Sequence, residues 1–495
     1  MKFKASLNNY IFGLVNIAFA IVSGIALVPL YLHYIDLSTY GAWLAISNVV
    51  LIIGSVESGF GLVMTQNLSE AFQSNDQSSI KNLNGCNIAI SGLIAILIIF
   101  IGVGLASYIP TWVNAPANSI DTLYYATVIS VLSAAIGVIA GQVGIYAQVW
   151  QMTFSVGVSN LIASLLSVLL IVLLFYFGYG LLSLAYGNLF RMIFRFGYLL
   201  VFNICMWKKL NMPMFDFRLP LIKKMIVLSS LPFLSRISSL VVNNSQVFMA
   251  SLYISPSIAA IYDITSKVIT VCSLMMSNLN GSIFASTAHI FASKNKSYIK
   301  SSLSELFEIT NSSYYWAIIF CILFTKDVVT IWVGSDLFGG AWINCLIIFS
   351  VVLRERKSLL QILLFSFGSF KPSSKVDILT SFLYIVLLVI TVPYLGIISI
   401  PLSSIITSIS CIYFYDKLIL KQLNLNWTWM YSIAKNIFFV SFVTGILFFF
   451  IPNFDDLRVS IIMKVLFFGI VCSFSQLYFS PVTKKIIVER ILKIQ

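Results

Sequence analysis

Residues 10–33 read YIFGLVNIAFAIVSGIALVPLYLH, and this stretch decides the fold class. It contains no Asp, Glu, Lys or Arg, and about 20 apolar residues are enough for a helix to cross the hydrocarbon core of a membrane. It follows Lys2 and Lys4, as the apolar part of a signal peptide would. However, it is longer than such a segment, and no small-residue cleavage site follows it. We interpret it as a retained transmembrane helix.

Thirteen similar runs follow, separated by Pro, Gly, Asn and charged residues. Apolar residues make up 59% of the 495-residue chain and charged residues 9%, whereas soluble domains carry roughly 25% charged residues. This composition excludes a soluble enzyme, a nucleic-acid-binding protein and a disordered scaffold. The sequence predicts an all-α integral membrane protein with about 14 transmembrane helices. The predicted spans are 10–33, 40–65, 86–109, 121–147, 154–177, 181–205, 222–249, 258–286, 304–325, 341–367, 375–393, 396–416, 431–451 and 459–480.

The positively charged residues predict the orientation of these spans. If the N-terminus is cytoplasmic, the inner segments carry nineteen Lys and Arg residues and the outer segments carry three. Cytoplasmic loops of membrane proteins are enriched in Lys and Arg, so we expect both termini to face the cytoplasm. The net charge of +13 therefore reports topology and does not indicate a nucleic-acid partner.

Several short segments recur six spans apart. YGLLSL at 179–184 resembles LGIISI at 395–400, at an offset of 216 residues, and YGAW at 40–43 corresponds to AAIY at 259–262, at an offset of 219. Copies an even number of spans apart have the same orientation. We predict an N-lobe of spans 1–6 (1–210), a C-lobe of spans 7–12 (211–425) and an added helix pair with a cytoplasmic tail (426–495).

These features resemble polysaccharide flippases of the O-antigen type. They belong to the multidrug/oligosaccharidyl-lipid/polysaccharide (MOP) exporter superfamily. The shared features are the span count, the repeated small-aromatic span openings, the Gly-x-x-Ser hairpins and the segment from FGSFK at 367–371 to PYLGI at 393–397. The resemblance implies flipping of an undecaprenyl-diphosphate-linked oligosaccharide, an O-antigen or capsule repeat unit, across the bacterial inner membrane by alternating access. Membrane lipids and polymerase and chain-length proteins are the other implied partners. It also implies that spans 1, 2, 7 and 8 line a central cavity.

Charged residues inside the spans give a physical argument for the cargo. Arg236, Lys267 and Arg354 lie about 14–20 Å into their spans, and each charge facing lipid costs about 2.5–3.5 kcal/mol. Together with Glu57, Asp263 and residues 355–357, these residues give five basic and three acidic side chains deep inside the spans. The surplus of two positive charges predicts an anionic substrate such as a diphosphate. Polar residues at a spacing of seven mark helix faces in spans 1 and 7. The predicted substrate-binding residues are Arg236, Lys267, Arg354, Arg356, Asn16 and Asn243.

Several alternatives remain open at this level. The charges could form salt bridges between helices, and Asp263 and Lys267, four residues apart, could neutralise each other. Arg191 and Arg195 are expected to snorkel to lipid headgroups. Glu57 and Asp263 are the candidates for coupling to a proton or sodium gradient. Pro29 and Pro232 are predicted hinges, or simple kinks.

Metal and catalytic residues are scarce. The chain has two His and seven scattered Cys without a CxxC pair, so we expect neither a metal site nor another bound cofactor, and no His-based catalytic triad. We therefore expect that the protein is not an enzyme. The alternatives to a flippase are a cation-coupled multidrug exporter of the same superfamily and, less favoured, a membrane polysaccharide polymerase.

Overall fold

The structure is a computed structural model that describes residues 2–55, 58–209, 215–292, 296–423, 464 and 468–469. These residues form α-helices joined by short turns, with three single-turn 3₁₀ helices and no β-strand among them. The helices are α1 (Lys2–Tyr34), α2 (Leu37–Gly54), α3 (Ser58–Gln73), α4 (Gln77–Ala106), α5 (Ile109–Trp112), α6 (Ile120–Val149), α7 (Thr153–Tyr176), α8 (Leu182–Lys209), α9 (Leu219–Tyr253), α10 (Pro256–Ala292), α11 (Lys296–Val333), α12 (Ala341–Ser366), α13 (Phe370–Leu395) and α14 (Ser399–Leu423).

The predicted spans and the helices agree closely. Each of the first twelve predicted spans corresponds to one long helix, except that α2 and α3 together form the second span. Nine stretches of the described residues are long and apolar enough to cross a membrane, and α9 is a tenth, bent candidate. Predicted spans 13 and 14 lie almost wholly outside the described residues. The all-α membrane fold is confirmed, while the count of fourteen stays a prediction.

Helix α9 bends at the position of one predicted hinge. Its two halves, Leu219–Ser230 and Phe233–Tyr253, meet at 45°, and Pro232 lies in the break between them. Proline removes a backbone hydrogen bond and so permits a bend of this kind. Pro29 lies inside the continuous helix α1. The bend is present at Pro232, and motion about either proline stays a prediction.

Contacts divide the chain into two compact units, Met1–Ala260 and Ile261–Gln495. This division falls near the start of α10, whereas the lobe boundary that the duplication predicts lies at 210/211. In the N-terminal unit α6 packs against α4 and α8, α7 against α1 and α8, and α9 against α2 and α3. A cluster of buried side chains from α3, α4, α6 and α9 forms its core, including Phe60, Met64, Ile80, Ile145 and Met225.

In the C-terminal unit α12 packs against α14 and α11, and α13 packs against α14. Its core contains Leu303 and Phe307 of α11, Leu363 of α12, and Cys411 and Tyr415 of α14. Large apolar side chains cover the outer faces of both units, as expected for helices in contact with lipid, with Phe100 of α4 79% exposed.

The two hairpins that the duplication aligns share one backbone feature. Gly180, before α8, has φ 52°, and Gly396, before α14, has φ 57°. This left-handed conformation favours glycine, because a Cβ atom would make it strained. The repeat identified in the sequence therefore places glycine at two equivalent turns.

Helix α2 approaches the start of α10 more closely than a side chain allows. A Cβ atom built on Gly41 would lie 1.8 Å from the carbonyl oxygen of Pro256 and 3.3 Å from the Cβ of Ala260. We expect Gly41→Ala to lower the free energy of unfolding by about 1–3 kcal/mol, because the backbones must move apart. Thermal unfolding of the purified protein in detergent measures this effect. Gly24→Ala is the control, because no atom lies within 4 Å of the Cβ it would add. An equal loss of unfolding free energy in Gly41→Ala and Gly24→Ala would contradict the close approach of α2 to the start of α10.

Candidate functional site in the C-terminal unit

Four consecutive charged residues, Arg354 to Lys357, lie in the middle of α12. Arg354 is thirteen residues, or about 20 Å, from the start of this 26-residue helix. Successive residues of an α-helix point about 100° apart, so the four side chains are directed toward different neighbours. Apolar side chains alone cannot surround these four charges inside a membrane. Each charge therefore needs a polar partner within the unit or a bound ligand.

Glu355 connects three helices. Ser273 Oγ of α10 donates to its carboxylate at 2.5 Å, and Asn280 Nδ2, also of α10, lies 3.4 Å from the other carboxylate oxygen. The backbone carbonyl of Glu355 accepts from Asn280 Nδ2 at 3.2 Å and from the Tyr314 hydroxyl of α11 at 3.3 Å. The same hydroxyl donates to Asn280 Oδ1 at 3.1 Å. This network fixes α10, α11 and α12 to one another.

Arg356 is held by α11. Its Nη1 donates to Asn311 Oδ1 at 3.0 Å, and its guanidinium carbon lies 4.5 Å from the centre of the Phe307 ring. The charge of Arg356 also acts on Asp416 of α14, which is only 8% exposed. A hydrogen bond, a cation–π contact and a nearby acid therefore stabilise the charge of Arg356 within the unit. We infer a packing role for Arg356, one of the predicted substrate-binding residues.

Lys357 and Asp377 form a buried ion pair between α12 and α13. Lys357 Nζ lies 2.9 Å from Asp377 Oδ1, and the two side chains are 13% and 0% exposed. Gln361 Nε2 donates to the other carboxylate oxygen of Asp377. A buried pair of this kind is a weak source of stability, but removing one partner leaves an uncompensated charge.

Arg354 is the member of the run for which the described residues supply no partner. Its Nη1 is buried without a hydrogen bond, and no described carboxylate forms an ion pair with it. The side chain is half-buried, and its charge acts on Tyr262 of α10 and on the neighbouring Glu355. A guanidinium with donors to spare can grip a phosphate or carboxylate with two hydrogen bonds. Arg354 is therefore the strongest candidate for contact with an anion in this unit.

Lys267 and Asp263 pair within α10. Lys267 Nζ lies 2.9 Å from Asp263 Oδ2, with the side chains 28% and 16% exposed. This is the mutual neutralisation that the sequence left open as an alternative. A coupling ion at Asp263, or a substrate anion at Lys267, would compete with this pair.

The structure adds two buried acids to the charged residues that the sequence predicts inside the membrane in the C-terminal unit. The predicted positive surplus did not include Asp377 and Asp416, which lie at the ends of predicted spans 375–393 and 396–416. The structure buries both, with exposures of 0% for the Asp377 side chain and 8% for Asp416. Lys267, Arg354, Arg356 and Lys357 are then matched by Asp263, Glu355, Asp377 and Asp416. The predicted surplus of two positive charges is wrong for the described residues of this unit. Arg354, whose Nη1 has no hydrogen-bond partner among them, remains the candidate for binding an anion.

The other predicted site residues belong to the N-terminal unit. Asn16 Nδ2 of α1 donates to the Gly157 carbonyl of α7 at 3.0 Å, so its amide helps to join these helices. Arg236 and Asn243, both of α9, are exposed. Glu57 lies outside the described residues. Among the described residues no group of three or more His, Cys, Asp or Glu could hold a metal ion. The shared chamber around Arg236, Lys267 and Arg354 stays a prediction.

Comparison with solved structures shows which known folds the structure is similar to. The arrangement of helices is similar to that of a solved flippase and of solved transporters of the MOP superfamily, the fold that the sequence resemblance implies. Sequence comparison finds no matching protein-family model and no matching curated protein.

Three of the matched structures show how far the similarity of fold extends. The lipid II flippase MurJ in an inward closed conformation matches with a TM-score of 0.70 and 13% identity, over 96% of this chain and 99% of the flippase. An inward-facing multidrug resistance MATE family transporter of the MOP superfamily matches with a TM-score of 0.64 and 14% identity, over 83% and 98%. A MOP superfamily transporter from Pyrococcus furiosus matches with a TM-score of 0.54 and 13% identity, over 85% and 94%. At these identities the similarity shows the fold alone. The three matched structures are a flippase and transporters, not enzymes.

Proposed function

We propose that the protein is a flippase that moves an undecaprenyl-diphosphate-linked oligosaccharide, an O-antigen or capsule repeat unit, from the cytoplasmic to the periplasmic leaflet of the bacterial inner membrane. The observation that carries the proposal is the extent of the match to the lipid II flippase. That match covers 96% of this chain, whereas the MATE transporter covers 83%. A lipid-linked substrate is therefore favoured over a soluble drug.

The chemistry of the C-terminal unit supports an anionic headgroup. Arg354 retains free hydrogen-bond donors about 20 Å along α12, inside the membrane. A diphosphate offers several acceptor oxygens, and the planar fork of an arginine suits them better than an ammonium does. Since the charges of this unit balance, the proposed diphosphate binds to an unpartnered donor and does not neutralise a surplus.

Transport by alternating access needs an energy source and a moving element. We propose coupling to a proton or sodium gradient through Glu57 or Asp263, and bending of α9 at the break that contains Pro232. Asp263 is paired with Lys267 in this structure, so coupling through Asp263 involves opening that pair. Association with polymerase and chain-length proteins belongs to the same proposal.

The second candidate is a cation-coupled multidrug exporter, which the similarity to MATE transporters favours. A site for cationic drugs needs unpaired carboxylates or aromatic faces. In the C-terminal unit, however, Asp263 and Asp377 each bind a lysine, and Glu355 accepts hydrogen bonds from Ser273 and Asn280. Asp416 Oδ1 has no hydrogen-bond partner among the described residues, but the charge of Arg356 acts on this acid. With Arg354 unpartnered, this arrangement favours an anionic substrate.

Deletion of the gene tests the proposal in cells. The deletion strain is expected to accumulate lipid-linked repeat units in the cytoplasmic leaflet and to lose surface polysaccharide, and a plasmid copy should restore export. Radiolabelled lipid-linked oligosaccharide, separated by chromatography and probed in intact spheroplasts, measures the accumulation. Normal surface polysaccharide together with raised sensitivity to cationic drugs would favour the exporter instead.

A further inference from the structure

Two cysteines of the C-terminal unit contact each other between α10 and α11. The Sγ atoms of Cys272 in α10 and Cys321 in α11 lie 3.7 Å apart, although the residues are 49 positions apart in the sequence. Both are free thiols in this structure. A disulfide brings its two sulfur atoms to about 2 Å from each other, so only a small movement separates this contact from a covalent bond.

A second contact shows that α10 and α11 pack in one register along this interface. About two helical turns from the cysteines, the Tyr314 hydroxyl of α11 donates to Asn280 Oδ1 of α10 at 3.1 Å. Asn280 follows Cys272 in α10 and Tyr314 precedes Cys321 in α11, as antiparallel helices require. Asn280 and Tyr314 are both buried. The contact between the cysteines therefore belongs to a packed interface.

The pair lies deep in the membrane-spanning part of the unit. Cys272 is about 24 Å from the start of α10 at Pro256, and Cys321 is about 18 Å from the end of α11 at Val333. Ions and strongly polar molecules enter the hydrocarbon core at a high free-energy cost. A reagent that reaches these thiols must therefore be uncharged and soluble in lipid.

The two thiols differ in their accessibility. Cys321 is 0% exposed, whereas Cys272 is half-buried and so keeps part of its surface open. Oxidation of an accessible thiol gives a sulfenic acid, which condenses with a neighbouring thiol to form a disulfide. This arrangement suits Cys272 as the thiol that reacts first and Cys321 as the thiol that completes the disulfide.

The pair also adjoins the network around Glu355. Ser273, the residue after Cys272, donates to the Glu355 carboxylate at 2.5 Å, and the Tyr314 hydroxyl lies 3.3 Å from the Glu355 carbonyl oxygen. A bond between Cys272 and Cys321 would hold α10 and α11 in the arrangement that this network has here. Helix movements limit the rate of many proteins that open and close around a substrate, so such a bond would slow them.

We propose that Cys272 and Cys321 form a reversible oxidation site for a lipid-soluble hydroperoxide, and that their disulfide holds α10 to α11 and slows transport. The Cys272 sulfur attacks the terminal oxygen of the hydroperoxide, the O–O bond breaks, and the alcohol leaves with the thiol proton. The Cys321 sulfur then displaces the hydroxyl group of the sulfenic acid as water, which forms the S–S bond. The two thiols are oxidised and the hydroperoxide is reduced. The effect on transport rests on the proposed flippase function, whereas disulfide formation does not.

Peptide mapping of the full chain in phosphatidylcholine nanodiscs tests the site, with cumene hydroperoxide as the probe. We expect the treatment to link Cys272 to Cys321 and to raise the unfolding temperature by about 5 °C, and dithiothreitol to reverse both changes. Cys272→Ser should show neither change. Cys321→Ala should leave a sulfenic acid at Cys272, which dimedone labels. Cys205→Ser removes an exposed cysteine of α8 and is the matched control, which should form the link as the parent does.

Flipping by proteoliposomes is measured before and after the same treatment. We expect the parent to slow by about tenfold and Cys272→Ser to keep its rate. A treated parent without the Cys272–Cys321 link overturns the site. A link that leaves the flipping rate of an active parent unchanged overturns the effect on transport. A chain that flips nothing before treatment, yet forms the link, would contradict only the proposed function.

Discussion

Lys357→Met is expected to lower the free energy of unfolding by about 3–5 kcal/mol, which is the cost of leaving a buried charge without its partner. Asp377 is fully buried, and Lys357 Nζ is the cation that faces it at 2.9 Å. In Lys357→Met the carboxylate keeps Gln361 as a hydrogen-bond donor but loses the cation that balances its charge. Chemical unfolding of the purified protein in detergent micelles, followed by tryptophan fluorescence, measures the loss.

Two further variants separate the charge effect from a packing effect. Lys375→Met removes an exposed lysine of α13 and should leave stability almost unchanged. The double variant Lys357→Met/Asp377→Leu removes both charges, and replacing a whole buried pair by apolar residues is often neutral or stabilising. A double variant as unstable as Lys357→Met would show that the pair acts through shape, which contradicts the electrostatic explanation.

Arg354→Gln is expected to slow transport at least tenfold while leaving the unfolding temperature nearly unchanged. Its Nη1 has no partner among the described residues, so little structure depends on it. A hydrogen bond to a charged group contributes about 1.5–3 kcal/mol, which corresponds to a factor of about 10–150 in affinity for an anion. Uptake or flipping of a labelled lipid-linked oligosaccharide by reconstituted vesicles measures the rate.

Arg356→Gln, two residues further along the same helix, is the matched comparison. Arg356 binds Asn311 and stacks on Phe307, so its loss should lower stability more than it lowers the rate per folded molecule. If Arg354→Gln transports as fast as the parent, or if it unfolds as readily as Arg356→Gln, Arg354 is a structural residue and the anion site of the C-terminal unit is wrong.

Much of the fold follows from the sequence because the bilayer imposes it. A helix must be largely apolar for about 20 residues to cross, and apolar runs together with their Pro, Gly, Asn and charged boundaries locate twelve spans, whose ends differ from those of the helices by up to about nine residues. The hairpin repeat also locates two glycines with left-handed backbone, Gly180 and Gly396, since only glycine adopts that conformation without strain. The bend in α9 coincides with Pro232 for a similar local reason.

The partners of the charged residues do not follow from the sequence. Helical periodicity gives the direction of a side chain, but the identity of the residue that it meets depends on how the helices pack. Asp377 and Asp416 have the sequence position of interfacial residues, yet the neighbouring helices bury them. Arg191 and Arg195 have the position of snorkelling residues, yet both side chains are half-buried in a helix that packs against α6 and α7. In each case the packing of the helices buries a charged side chain whose position in the sequence predicts contact with water or lipid headgroups.

The most direct test of the account is flipping by the purified protein in vesicles. Proteoliposomes are loaded with a fluorescent undecaprenyl-diphosphate oligosaccharide, and a membrane-impermeant reductant is added to bleach the outer leaflet. We predict that the label of the inner leaflet becomes accessible in vesicles that contain the protein and stays protected in protein-free vesicles. Label that stays protected in both, while the same proteoliposomes move a cationic dye along an ion gradient, would contradict the flippase and assign the fold to drug export.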